Sequence, residues 1–240
     1  MDNHLKGMAY SRGNKIENGG SHMIKTTLVG YGELHSKNLM TYIERLDSHL
    51  DGYYPGIFWS VVHENVKGAT VKLLLEQVEE KVLVHHPNIV FINLSSNDMK
   101  LEDIHNMAIT QYKEVLSSLL EKICHHNNRT GLNGCKPIPI VITPPPMREE
   151  MENEVLNNKI LLAYRDAICD VVLDWNGILI DLFEHLNKKV NCKEYLSEKG
   201  LGLNQNGQDL LYDLVFVEMT KLINYQGVLK DRDEIYEEEE

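Results

Sequence analysis

The segment Ile89–Leu94 (IVFINL) constrains the fold of this chain more than any other feature. It is apolar almost throughout and lacks the alternation of a strand with one wet face. Such a run belongs to a strand buried on both sides, and therefore to a sheet covered by helices on both faces. The surrounding sequence supplies the matching parts in alternation. Thr26–Val29, Ile57–Val62, Ile138–Thr143 and Gly177–Asp181 read as four more strands. Residues 37–50 place Leu39, Ile43, Leu46 and Leu50 at helical spacing, and Thr70–Val84 does the same with Val71, Leu74, Leu75, Val78 and Val82. Further helices are expected over 102–126, 149–173 and 205–224. The pattern predicts an α/β fold, a three-layer α/β/α sandwich around a five-stranded parallel sheet of flavodoxin-like type. Open sheets of this kind bind ligands beyond the carboxyl ends of their strands, which directs attention to residues 30–36, 63–70, 95–100, 143–150 and 195–207.

One domain over 24–226 accounts for these elements. Residues 1–23 carry no hydrophobic period and end in Gly20-Ser21-His22-Met23, so they read as a disordered leader or the remnant of an expression tag. Residues 227–240 read as an acidic tail. The chain has 24 Lys and Arg against 36 Asp and Glu, a formal charge of −12. Its last ten residues, DRDEIYEEEE, hold seven acids and one Arg and so contribute half of that excess. The tail is expected to be a solvated end, with an interaction tail as the other reading.

These balances exclude several classes of function. No basic stripe exists to neutralise phosphates, so nucleic acid is not an expected partner. With 42% hydrophobic and 25% charged residues the chain is not disordered as a whole. No apolar run is long enough for a membrane span and none resembles a secretory signal, so a cytoplasmic protein without a membrane partner is expected. Cys124, Cys135, Cys169 and Cys192 form no C-x-x-C pair and read as free, mostly buried thiols. Cys124-His125-His126 with Cys135 matches no standard zinc spacing, so no metal site is expected there.

At the end of the first strand, Gly30-Tyr31-Gly32 offers a Gly-x-Gly turn. A dinucleotide site wants a third glycine where His35 stands and an acid at the end of strand two, where Asp51 does not lie. No cofactor is expected. The other strand ends carry Asn65-Val66-Lys67-Gly68-Ala69-Thr70, Asn93-Leu94-Ser95-Ser96-Asn97-Asp98, Thr143-Pro144-Pro145-Pro146 and Gly200-Leu201-Gly202-Leu203-Asn204-Gln205-Asn206-Gly207.

In this order and at these distances, the set resembles the SGNH (GDSL) hydrolase superfamily of esterases and acylhydrolases over about residues 24–225. The resemblance implies an oxyanion hole built from the N–H groups of Gly32 and Gly68 and the side-chain amide of Asn97. It also implies where a nucleophile, an acid and a base would stand, and those positions hold Gly32, Lys199 and Gly202. Acyl transfer of this kind needs an activated hydroxyl, a base within reach and a group that orients the base, and a glycine offers none of these. The resemblance therefore implies a catalytically inactive relative that binds a small ester, acyl or carboxylate-bearing ligand, or else a protein partner. Oligomeric state is left open. The alternative is an active esterase or acylhydrolase using other residues: Ser36, Ser95 or Ser96 as nucleophile with His35 or His63, or Glu33 or Asp98 with His63 activating a water.

Plainer readings stand beside these. Gly30 and Gly32 serve a tight turn with positive φ. Gly68 allows a close backbone approach. Asn97 and Asp98 cap the helix that follows strand three. Asn204 and Gly207 start the last helix.

Overall fold

The computed structural model describes residues 24–34, 39–99, 108–153, 156–198 and 202–225. Ile89–Asn93 forms the central strand β3, with all five residues buried, and its neighbours assemble in parallel around it. In chain order the strands are β1 (Ile24–Gly32), β2 (Ile57–Asn65), β3, β4 (Ile138–Ile142) and β5 (Ile178–Ile180). Their order across the sheet is β2-β1-β3-β4-β5. Every pairing is parallel, with Gly32 in register with Asn65 on one side and Asn93 on the other. This is the doubly wound order, and its direction reverses between β1 and β3, where a crevice opens at the carboxyl edge.

Strand residues alternate between two apolar layers, which is why the strands read as continuously hydrophobic. Val29, Tyr31, Val90, Ile92 and Val141 face α2 (Val71–Lys81), α3 (Ile109–Cys124) and α4 (Asn158–Asp174). Leu28, Ile89, Phe91, Ile140 and Ile142 face α1 (Tyr42–Tyr53) and α6 (Gln205–Thr220). The short α5 (Leu182–Asn187) adds Leu182 and Leu186 to this second layer. Burying side chains of this size contributes roughly 1.5–3 kcal/mol each, and two such layers hold the sheet.

The expected boundaries shift where capping chemistry decides them. α1 begins at Tyr42 rather than at 37, because Thr41 and Glu44 form a reciprocal capping box. The helix expected over 149–173 divides: a single 3₁₀ turn at Glu149–Met151 precedes α4, which starts after Asn157 accepts from Ile160 N at 3.1 Å. α3 ends at Cys124, two residues before the expected end, and the first part of the expected 102–126 helix lies outside the described residues. α5 was not expected. Asp181, the last residue of the expected fifth strand, instead caps it by accepting from Glu184 N at 3.1 Å. The last helix ends in one π turn, Lys221–Tyr225. The cysteines are free and half-buried, not mostly buried. No helix among the described residues is long and apolar enough to cross a membrane. The leader, the acidic tail, His35, Ser36 and Lys199 lie outside the described residues.

Candidate functional site

At the carboxyl edge of the sheet, beyond the β1/β3 crevice, lies a cavity of about 680 Å³. Leu34, Leu94, Met147, Leu161, Leu203 and Leu211 make apolar walls, and Pro144 and Pro145 after β4 form a rigid rim. The polar groups converge from three directions: Glu33 after β1, Ser95, Ser96 and Asn97 after β3, and Asn204 and Gln208 from α6. Volume and composition suit a small organic ligand.

The floor is a closed hydrogen-bond network. Ser95 Oγ donates to the Ala69 carbonyl at 2.5 Å and accepts from Asn97 N at 3.2 Å. The Asn97 side-chain amide donates to Ser95 Oγ and to Glu33 Oε2, both at 2.9 Å. Behind it, Asn93 at the tip of β3 donates to Tyr42 Oη at 2.6 Å and reaches the Tyr31 carbonyl at 3.4 Å. Burial pushes the Tyr42 phenol up, so it stays neutral. Leu34 N donates to Asn65 Oδ1 at 3.0 Å, fixing the chain as it leaves β1.

Asp98 follows Asn97 and is 5% exposed. Its carboxylate accepts from Val71 N at 2.9 and 3.1 Å. It therefore supports the N-terminus of α2 beside the N-cap Thr70, while the N-cap position of α3 is Ala108. Desolvation by burial raises its pKa to about 6, against the opposing pull of the backbone N–H groups. On the β4 side, Thr143 Oγ1 accepts from Phe183 N at 3.0 Å, and Asp181 is paired with Arg165. These contacts fasten the start of α5 beside the cavity.

Gly32 ends β1 with φ of +116°, a conformation that L side chains rarely adopt. It remains inside the ladder, so the Gly-x-Gly segment is strand and not a turn; of its two glycines only Gly32 has positive φ. A β-carbon there would collide with the Asn93 carbonyl oxygen. Gly68, with φ of +69°, is exposed and has open space around it. Its neighbour Ala69 supplies the carbonyl that receives Ser95. Gly202, with φ of +139°, lines the cavity, and its carbonyl accepts from Ser197 N at 2.9 Å.

The structure thus gathers Asn97, Ser95, Ser96 and Gly202 around one cavity. Gly32, Gly68, His63 and Asp98 are not among the residues that line it. His63 is exposed on the edge strand β2, in register with Gly30. The lining residues that sequence reasoning passed over are chiefly Tyr42, Asn93 and Gln208. One signal for Asn93 was present: it is the polar residue closing an otherwise apolar buried strand, a position that needs partners. Asn204 is the N-cap of α6, accepting from Gly207 N at 3.1 Å, and its amide ties down the carbonyls of Glu194 and Leu196. Gly207 allows α6 to approach the Tyr195 carbonyl, which a β-carbon would strike.

Chemically, the described lining offers the hydroxyls of Ser95, Ser96, Thr143 and Ser197 and the carboxylates of Glu33 and Glu198. No imidazole is among them. Among the described residues, no group of three or more His, Cys, Asp or Glu is arranged to hold a metal ion.

No family model and no curated protein matches this sequence. Solved structures do match in fold. A lipase/acylhydrolase from Enterococcus faecalis superposes with a TM-score of 0.66 at 22% identity, over 82% of this chain and 95% of its own. An acetylxylan esterase from Geobacillus stearothermophilus gives 0.62 at 18% identity, with the same coverage of 82% and 95%. An alpha/beta hydrolase enzyme from the metagenome of Lake Arreo, Spain, gives 0.64 at 16%, covering 83% and 97%. Two catalytic mutants of the acetylxylan esterase replace a serine and a histidine by alanine. The chain has the fold of these esterases and acylhydrolases.

Proposed function

We propose that this chain is a non-catalytic member of the esterase fold that binds a small ester or acyl compound in the cavity beyond β1 and β3. The observation that carries the reading is Gly32. The resemblance puts the nucleophile at this position, and here the backbone conformation and the Asn93 carbonyl leave no room for a side chain. Two further facts support it. Of the serine candidates that line the cavity, Ser95 donates its proton to the Ala69 carbonyl, and neither it nor Ser96 has an imidazole among the described lining residues. The cavity is lined by both apolar and polar side chains, a mixture that suits an acyl group carried on a polar body.

Because structural neighbours include an acetylxylan esterase, an acetylated oligosaccharide is the first ligand to try. Saturation-transfer NMR on the intact ester, followed over hours, tests binding and turnover in one sample. The reading requires transfer to the ligand with no acetate released above the buffer rate. Released acetate would make the protein an enzyme, and absence of transfer would remove this ligand class.

A further inference from the structure

We infer that Glu33 is a resident anion of the site, holding the Asn97 amide that a carboxylate ligand would otherwise use. The cavity therefore takes an uncharged, hydroxyl-bearing ligand and admits a carboxylate only when Glu33 is withdrawn. This rests on reading the cavity as the ligand site and narrows its chemistry.

A side-chain amide has two N–H donors. Those of Asn97 go to Glu33 Oε2 and Ser95 Oγ, each at 2.9 Å. Ser95 in turn spends its own proton on the Ala69 carbonyl. The donors of this cluster are thus all committed, and the partner at its open end is already a carboxylate. An incoming anion meets two obstacles at once. It must displace a charge-assisted hydrogen bond, and it must sit within a few ångströms of a like charge. Glu33 itself is exposed and lines the cavity, and a carboxylate has more lone pairs than the Asn97 amide uses. A ligand hydroxyl can donate to it without disturbing the floor. Substitution at this exposed position leaves the buried layers untouched, so the contact can be removed without removing the fold.

Acetate is the probe, and the Asn97 side-chain amide resonance is the reporter. Glu33→Ala is expected to show a saturable shift of that resonance on acetate titration at neutral pH, with an apparent affinity about tenfold or more above that of the parent protein. Glu33→Gln, which keeps an acceptor but loses the charge, is expected to move in the same direction by less, and it carries the test if the alanine variant is poorly folded. Acetate binding to the parent as tightly as to both variants would overturn the inference. So would an Asn97 resonance that acetate leaves unmoved in both. Neither result depends on whether an ester is bound or turned over, so this inference and the proposed function fail separately.

Discussion

The carbonyl oxygen of Asn93, at the tip of β3, occupies the space that a β-carbon on Gly32 would need. The contact is backbone against backbone, so no rotamer change relieves it. Gly32→Ser is therefore expected to lower unfolding stability by roughly 2–5 kcal/mol, from overpacking together with an unfavourable φ. Gly32→Ala should lose nearly as much, because the β-carbon is the offender and the hydroxyl adds little. Urea unfolding of both variants measures this, and equal stability of parent and serine variant would show that β1 can shift to make room.

Asp98 gives a pH dependence of definite sign. Burial raises its pKa from 3.8 to about 6, so the folded state holds this proton more tightly than the unfolded chain. The stability it contributes is complete below about pH 4 and is lost as pH rises through 6. The total is on the order of 3 kcal/mol. Asp98→Asn removes this component. The stability difference between parent and variant should then shift against the parent between pH 4 and 7.5, and a flat difference would mean that Asp98 titrates normally.

Asn204 joins three segments at once, capping α6 and holding the carbonyls of Glu194 and Leu196. Asn204→Ala is expected to cost about 1–2 kcal/mol. Hydrogen exchange should quicken first at Ser197 N, whose partner is the Gly202 carbonyl. Unchanged protection there would separate the cap from the loop whose carbonyls it holds.

The layers of the fold were legible because buried parallel strands are apolar on both faces. IVFINL announces β3, and the same property marks β4. What the periodicity missed was decided by single polar side chains. Thr41 with Glu44 sets the start of α1, Asn157 divides the expected long helix, and Asp181 turns the end of a strand into the cap of α5. Of the expected hole residues only Asn97 lines the cavity, together with Ser95, Ser96 and Gly202, while Gly32 and Gly68 do not. The wiring of the site was not legible. Asp98 supports the N-terminus of α2 and not that of the next helix, and the grip of Glu33 on Asn97 joins residues 64 positions apart. Local spacing carries no record of either.

The claim that the nucleophile position is closed is tested most directly by chemistry at the serines. The purified full chain would be treated with a fluorophosphonate probe and its peptides mapped by mass spectrometry, with p-nitrophenyl acetate hydrolysis followed in parallel. The account predicts no stoichiometric label on any serine and hydrolysis at the rate of buffer. A label on Ser36, Ser95 or Ser96 together with multiple turnovers would contradict it and establish a working hydrolase with a relocated nucleophile.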